Sequence, residues 1–234
     1  MDTSRIAALL QPFVETPLHE SQLYQISTYI DILLRWNARI NLTAIRDPEE
    51  IVTRHFGESF FMARHLFPSG VARTLLTANP IATPVQSDKP HPLAPARKVS
   101  VLDIGSGAGF PGLPIKLWAP DISITLVESN HKKATFLREL ARALTLTDIN
   151  IISARAETLT TQADVVTLRA VEHFEAIVPV AASLVAPAGR LALLISSNQL
   201  PALSSVTGFR PSAPIPLPKS NSRVLSIMVL HGKW

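Results

Sequence analysis

The spacing of apolar residues predicts two helices in the first third of the chain. Between His19 and Asn37, leucines and isoleucines recur every three or four residues, as in an amphipathic helix. Further on, Asp47 and Pro48 are suited to a helix cap and a first turn. We expect this second helix to reach about Leu66, so residues 1–66 are interpreted as a helical cap.

The segment 67–98 differs from its neighbours in both composition and pattern. It contains six prolines and shows little hydrophobic periodicity, which is typical of a connection between two regions. With four basic residues and one acidic residue, it carries a net charge of +3. We interpret it as a proline-rich linker or insertion.

Strand patterns alternate with helix patterns from residue 99 onward. Apolar runs predict strands at 99–104, 122–127, 149–153, 165–168 and 190–195, and helices are predicted at 111–119, 130–144 and 173–185. The weakly alternating segment 223–230 predicts an antiparallel strand at the end of the chain. Strands that alternate with helices imply an α/β fold with a doubly wound, mainly parallel sheet. Residues 99–234 are therefore expected to form one α/β domain.

Composition limits the chemistry of this chain. It contains no cysteine, which excludes disulfides, thiolate nucleophiles and cysteine-based zinc sites. Its histidines have no ligand-like spacing, so we expect no metal. It has no apolar run of 18 residues and no signal-peptide pattern, so we expect no membrane segment and a cytoplasmic location. The net charge of +4 permits a nucleic-acid partner but does not require one.

A glycine-rich loop between the first predicted strand of the domain and the next helix indicates a ligand site. Gly105, Gly107 and Gly109 alternate there, which suits positive φ or a close approach of backbone to ligand. The helix that follows offers free N–H groups at its start. Residues 107–112 also match the dinucleotide fingerprint G-x-G-x-x-G. Dinucleotides and S-adenosylmethionine are therefore both candidate ligands.

Three features favour S-adenosylmethionine. Asp103 lies two residues before the first glycine, where a carboxylate can hold the ammonium group of the ligand, directly or through water. Pro111 and Pro114 remove N–H donors that a pyrophosphate would use. No second nucleotide-binding half follows residue 150.

Further candidates lie at the ends of the later strands. Glu128 ends the second strand of the domain, where a carboxylate can accept hydrogen bonds from ribose hydroxyls of either cofactor class. Ala156 and Glu157 follow the third strand, where a loop would close over an adenine. Arg169 ends the fourth strand, and its guanidinium suits a cofactor carboxylate, a phosphate, or O6 and N7 of guanine. We favour the first two roles, because an arginine beside N7 would compete for its lone pair, and we take Arg169 as the catalytic candidate.

Several sequence strings carry a resemblance to a known family. They are LRWNARINLTAIRDPE at 34–49, RH at 54–55, DIGSGAGFPGLP at 103–114, LVES at 126–129, ARAE at 154–157 and LRA at 168–170. Through them the chain resembles the glucose-inhibited division protein B family, also called ribosomal RNA small-subunit methyltransferase G. The tryptophan-containing string is far more specific than the glycine loop.

The resemblance implies a class I methyltransferase fold, which is Rossmann-like, with an N-terminal helical cap. It implies methyl transfer from S-adenosylmethionine to N7 of a guanine in small-subunit ribosomal RNA, with that RNA or the ribosomal subunit as partner. Cofactor contacts would fall at Gly105, Phe110, Glu128, Ala156, Glu157 and Arg169. We further expect the cap to face RNA through Asn41, Arg46, Arg54 and His55.

The residues are compatible with that chemistry. Guanine N7 has a lone pair and no proton, so its methylation needs alignment of the reactants and no general base. The absence of cysteine excludes the covalent route to pyrimidine carbons, and no Asn/Asp-Pro-Pro-aromatic string favours an exocyclic amine.

Two departures from the family leave alternatives open. The segment 67–98 is longer than the usual join between cap and sheet, and serines at 196 and 197 replace a typical lysine and glycine. One alternative is a methyltransferase of this fold with another RNA or small-molecule acceptor. The other is a non-catalytic, cofactor-binding RNA-associated protein. We favour a monomer and leave the oligomeric state open.

Overall fold

The computed structural model describes residues 1–68, 97–170 and 173–231. Almost all of the predicted linker therefore lies outside the described residues. The chain begins with a helical cap and continues into a sheet with helices on both faces.

The cap is built from helices that the sequence pattern only partly predicts. Its elements are α1 (Thr3–Leu10), α2 (Glu20–Asn37), α3 (Pro48–Glu50), a π-helical stretch (Ile51–Gly57) and α4 (Glu58–Leu66). The last three follow one another without a break, as the predicted second helix requires. Helix α1 was not predicted, because its eight residues are too few for a clear periodicity.

Local hydrogen bonds explain where two of these helices begin. The carboxylate of Asp47 accepts a hydrogen bond from the backbone N of Glu50 at 2.8 Å, and Pro48 lies in the first turn. The predicted cap at this position is confirmed. At the start of α2, the backbone N of His19 donates to the side chain of Gln22 at 2.8 Å. Each contact satisfies a polar group that a helix end would otherwise leave unpaired.

The sheet of the described residues has eight strands. They are β1 (Ser100–Ile104), β2 (Ser123–Val127), β3 (Ile149–Ile152), β4 (Ala163–Arg169), β5 (Val185–Ser196), β6 (Phe209–Pro211), β7 (Ile215–Pro216) and β8 (Arg223–Leu230). Their order is β3-β2-β1-β4-β5-β8-β6, and β7 pairs with β8. Strands β1 to β5 are parallel, whereas β8 runs antiparallel to β5. The predicted doubly wound, mainly parallel fold with an antiparallel C-terminal strand is confirmed.

Three helices connect the parallel strands: α5 (Gly112–Trp118), α6 (His131–Ala143) and α7 (Phe174–Ser183). The predicted extension of α7 to Val185 is wrong. Val185 is fully buried and pairs with Ala163 of β4, so β5 begins there, five residues earlier than predicted. The short strands β6 and β7 were also not predicted.

The two faces of the sheet build two cores. Alternate strand residues such as Val101 and Leu126 point into a large core shared with the cap, α5 and α6. Their neighbours, such as Leu102 and Val127, point into a smaller core against α7. Since burial of one large apolar side chain contributes about 1.5–3 kcal/mol, the shared core fixes the cap on the sheet.

Side-chain to backbone hydrogen bonds also join the cap to the sheet region. Gln22 donates to the carbonyl of Leu117 at 2.7 Å, and Gln25 donates to that of Leu144 at 3.0 Å. The indole of Trp118 donates in the other direction, to the carbonyl of Phe67 at 2.8 Å. The predicted domain boundaries stay a prediction, but the described residues on both sides pack together.

Candidate active site

A crevice of about 960 Å³ lies at the carboxyl edge of the parallel strands. There the strand order reverses between β1 and β4, which is the usual ligand position in doubly wound sheets. The loops after β1 to β4 line it on the sheet side, and cap residues 42–44 and His55 line it on the other. Both regions of the chain therefore contribute to one site.

The glycine loop after β1 forms the floor of this crevice. Gly105, Gly107 and Gly109 have φ values of 67°, 55° and 92°, in the left-handed region that favours glycine. At Gly109 a Cβ atom would also lie 2.8 Å from the side chain of Leu113 and would overlap the hydroxyl of Tyr29. Beside Gly107, which lines the crevice, the nearest atom to such a Cβ is 3.7 Å away. The loop is thus closely packed at Gly109, whereas at Gly107 it is open toward the crevice.

Asp103 holds this loop from below. Its side chain is fully buried, accepts a hydrogen bond from the hydroxyl of Thr167 at 2.8 Å and accepts another from the backbone N of Gly112 at 3.3 Å. Burial raises the pKa of this carboxyl to about 6, against the opposing effect of its hydrogen bonds. Asp103 is not among the residues that line the crevice. Its contact with a ligand ammonium group stays a prediction.

Glu128 lies in the crevice, directly after β2. Its two carboxylate oxygens accept hydrogen bonds from the backbone N of Gly107 at 2.9 Å and of Asn130 at 2.8 Å. A carboxylate offers about four acceptor positions, so two remain for other donors. Glu128 therefore ties the glycine loop to the start of α6 and can still accept from a pair of hydroxyls.

Arg169 is buried at the other side of the crevice, between sheet and cap. One of its amino groups donates to the carbonyl of Arg54 at 2.7 Å and to the carboxylate of Glu58 at 3.3 Å. Its Nε is buried and has no hydrogen-bond partner among the described residues. Burial lowers the pKa of this guanidinium to about 10, which leaves it charged at neutral pH. The crevice is thus lined by a buried cation.

His55 lies in the same part of the crevice and is also buried. Its ring stacks on Phe110 with the centroids 4.7 Å apart, and its Nε2 contacts the hydroxyl of Thr43 at 2.8 Å. Its Nδ1 has no partner among the described residues. Burial, and then the charge of Arg169, lower the pKa of this histidine to about 2. His55 is therefore neutral at the pH of the cell.

An aromatic cluster closes the crevice on the cap side. Phe110 of the glycine loop stacks on Tyr29 at 5.2 Å and meets the edge of Phe56 at 5.0 Å. The hydroxyl of Tyr29 donates to the carbonyl of Ala108 at 2.6 Å. The cap thereby fixes the loop that the ligand would contact.

The remaining cofactor candidates lie in the loop after β3. Ala156 is buried and Glu157 is exposed in a short 3-10 turn (Ala156–Thr158), and both line the crevice. After β4, Ala170 and His173 have φ values of 47° and 52° and also line it. Such strained residues persist only where the surrounding structure holds them.

The four predicted RNA-facing residues differ in their exposure to solvent. Asn41, Arg46 and Arg54 are exposed, whereas His55 is buried inside the crevice. Arg54 forms an ion pair with Glu50 at 3.1 Å on the same helical segment. A role of these residues in RNA binding stays a prediction.

Some residues of the site were missed by sequence reasoning. Glu58 and Arg223 form a buried ion pair at 2.9 Å, next to Arg169. The carboxylate that pairs with Arg169 is that of Glu58, at 3.3 Å. The one signal for Glu58 is a carboxylate close to Phe56, Phe60 and Phe61 in sequence. Tyr29 gave no signal because aromatic residues are common in cores.

Two kinds of site are not found in the described part of the chain. No group of three or more histidine, aspartate or glutamate side chains there is arranged to hold a metal ion. The helices of residues 1–68, 97–170 and 173–231 are all too short or too polar to cross a bilayer.

The fold and the position of the site define the class of the protein. Among solved structures, the chain is similar to the ribosomal protein L11 methylase from Lactobacillus delbrueckii subsp. bulgaricus, with a TM-score of 0.52 and 15% identity over 75% of this chain and 80% of that one. The fold is that of the Rossmann-like methyltransferases. A family model described as rRNA small subunit methyltransferase G (GidB) matches residues 22–72 and 87–203. The chain belongs to this family.

Curated relatives agree with this membership. A protein of Chloroflexus aggregans is 38% identical over 181 residues, which are 75% of this chain and 64% of the relative. One from Roseiflexus sp. (strain RS-1) is 41% identical over 160 residues, or 66% and 56%. Both are named ribosomal RNA small subunit methyltransferase G. The matched part of the chain spans about three-fifths of the length of these relatives.

Proposed function

We propose that this protein transfers a methyl group from S-adenosylmethionine to N7 of a guanine in small-subunit ribosomal RNA. The proposal depends on the crevice at the strand-order reversal, in a chain of this family. The glycine loop and Glu128 supply the features that a nucleoside ligand needs.

The residues present fit S-adenosylmethionine. A volume of about 960 Å³ is within the range of small-molecule sites. Glu128 has acceptor capacity left for two ribose hydroxyls, and the unpaired Nε of Arg169 is a donor suited to the carboxylate of the methionine part. The loop at Ala156 and Glu157 would lie against the adenine. When bound, S-adenosylmethionine supplies an activated methyl group on a sulfonium.

The protein's own contribution is to position and to exclude water. Guanine N7 carries a free lone pair, so no side chain has to remove a proton. A neutral His55 has no acidic proton to give to that lone pair, and one amino group of Arg169 already donates to Glu58 and to the carbonyl of Arg54. Phe110 and its aromatic neighbours keep water from one side of the crevice. Alignment of this kind is sufficient for a large rate enhancement.

The direct test uses small ribosomal subunits, and free RNA, from a strain that lacks this gene. The purified protein and S-adenosylmethionine are added, the RNA is treated with borohydride and aniline, and cleavage at methylated N7 is mapped by primer extension. We expect one new stop at a guanine. A methyl group elsewhere would favour a different acceptor, and binding of S-adenosylmethionine without transfer would favour a non-catalytic role.

A matched pair of variants tests the cofactor site. We expect Glu128→Gln to weaken binding of S-adenosylmethionine about tenfold or more, because a hydrogen bond to a charged group contributes about 1.5–3 kcal/mol. Glu139→Gln removes the same charge from the exposed face of α6 and should bind normally. Equal affinities for both variants, measured by titration calorimetry, would argue against the site.

A further inference from the structure

A second cavity, of about 430 Å³, lies beside the crevice. It is formed by the segment Glu50–Glu58 of the cap and by residues 218–223, the turn between β7 and β8, with Phe13 at its side. It shares no lining residue with the crevice. The last pair of the β5–β8 ladder is Ser196 and Arg223, so this turn lies at the same edge of the sheet as the end of β4.

One buried carboxylate separates the two cavities. Glu58 lines the second cavity and pairs with Arg223 at 2.9 Å and with Arg169 at 3.3 Å. The exposed fractions of these three side chains are only 5%, 19% and 6%. Because Arg169 lines the crevice, the two sites are joined through a single ion-pair network.

This network carries more positive than negative charge. The three arginines Arg54, Arg169 and Arg223 outnumber the two carboxylates of Glu50 and Glu58, and the exposed Lys219 lines the same cavity as Glu50 and Glu58. Lys219 forms no ion pair with any residue that the structure describes. In a partly buried cluster, excess charge of one sign is costly unless an opposite charge enters.

The turn that carries Lys219 is held in place. Lys219 has a φ of 58°, a conformation that costs a non-glycine residue about 1–3 kcal/mol. The carbonyl of Ser222 accepts hydrogen bonds from the backbone N of Ser197 at 2.7 Å and from the hydroxyl of Ser196 at 3.3 Å. The backbone of the turn thus places Lys219, whose side chain is exposed, in the lining of the cavity, where Asn221 offers a further polar group.

We propose that the second cavity binds a backbone phosphate of the RNA whose base enters the crevice, with Lys219 and Arg223 as its cationic contacts. The proposal rests on the proposed function, because it assumes an RNA substrate. An RNA strand at this edge of the sheet would pass both cavities. Its phosphate would supply the negative charge that the network lacks.

The test compares Lys219→Ala with Lys98→Ala. Lys98 precedes β1, at the opposite edge of the sheet, and pairs with Asp148 on the surface. The affinity of each protein for transcribed small-subunit ribosomal RNA is measured between about 50 and 200 mM salt. We expect Lys219→Ala to flatten the slope of log K against log salt by about 0.7–0.9, the value for one lost phosphate contact. Lys98→Ala should keep the wild-type slope.

Further readouts separate this proposal from the function it rests on. Lys219→Ala should keep the wild-type melting temperature and the wild-type Kd for S-adenosylmethionine, since Lys219 does not line the crevice. An unchanged slope would overturn the proposal. The cavity would then hold free phosphate at most, and no phosphate of the RNA. A weaker Kd for S-adenosylmethionine would overturn it too. Failure of the proposed function appears separately, as wild-type protein that leaves N7 unmethylated.

Discussion

His55 and Arg169 each bring a buried nitrogen without a hydrogen-bond partner to the crevice. An unpaired buried donor or acceptor costs about 1–3 kcal/mol of stability. Phe110 lies against both side chains, with the guanidinium carbon 5.9 Å from its ring centre. A ligand that supplies a partner for either nitrogen would recover that cost as affinity.

The suppressed protonation of His55 predicts a pH dependence of stability. Its pKa is about 2 in the folded protein, against 6.5 for the free side chain. Below pH 6.5 the unfolded chain binds a proton that the folded chain does not, so this contribution is complete above pH 6.5 and is lost as the pH falls. When the pH is lowered from 6.5 to about 4.5, the free energy of unfolding should fall in both proteins. We expect this fall to be about 1–3 kcal/mol smaller in His55→Gln than in wild type.

Urea unfolding at both pH values measures this difference. Asp103 and Glu58, whose pKa values are raised by burial, act in the opposite direction but are present in both proteins. The control is His131→Gln, which removes an exposed histidine. If wild type and His55→Gln lost stability in parallel, His55 would not be held neutral.

How far single site residues could be predicted depends on how local their signals are. Gly105, Gly107 and Glu128 were found because short sequence spacings place them at the ends of neighbouring strands. Glu58 and Tyr29 reach the site only through the packing of cap on sheet, more than 75 residues away in sequence from their partners. No local pattern encodes such contacts.

Among the elements, the π-helical stretch and α4 carry the carboxylate on which both arginines depend. Loss of one partner from a buried ion pair leaves an uncompensated charge. We expect Glu58→Gln to lower the free energy of unfolding by about 3 kcal/mol and to weaken S-adenosylmethionine binding, because Arg169 loses its charged partner. Glu50→Gln breaks the exposed pair with Arg54 and should cost less than about 1 kcal/mol.

Chemical denaturation and calorimetric titration of the two variants check this prediction. Equal stabilities would mean that the buried pair contributes no more than the exposed one. Unchanged cofactor affinity in a folded Glu58→Gln protein would mean that Glu58 does not position Arg169.

The prediction of helices and strands succeeded where a pattern was repeated along the chain or where a clear signal, such as a capping residue, marked its end. The parallel strands are short apolar runs with helices between them, and Asn130 caps α6 as predicted, accepting from two backbone N atoms at 3.0 and 3.2 Å. Helix α1 and strands β6 and β7 are too short to show a period. The early start of β5 at Val185 depends on its pairing with Ala163, which only the assembled sheet provides.

For the whole molecule, the shared core predicts that cap and sheet unfold together. Trp36 packs against Phe136 of α6 and Trp118 against Phe60 of α4, so both report on the boundary between the two regions. We expect tryptophan fluorescence and far-ultraviolet circular dichroism to give one coincident unfolding transition. Two separated transitions would show that the cap is an independent unit.

Ligand binding should act on that single transition. S-adenosylmethionine at about 100 times its Kd should add about 2.7 kcal/mol to the free energy of unfolding, and both probes should shift equally. At equal ligand concentration, Glu128→Gln should show a smaller shift. A shift confined to one probe would contradict a crevice built from both regions.

The π-helical stretch at Ile51–Gly57 also limits which mutations the protein can tolerate. Each helical residue turns the chain by about 100°, so the number of residues in this stretch sets the angular phase of all of α4. A one-residue deletion here would swing Glu58 away from the interior and bring a neighbour in its place. Substitutions on the outer side of this stretch should be tolerated, while insertions and deletions should not. Its length is therefore under a stricter constraint than most of its composition.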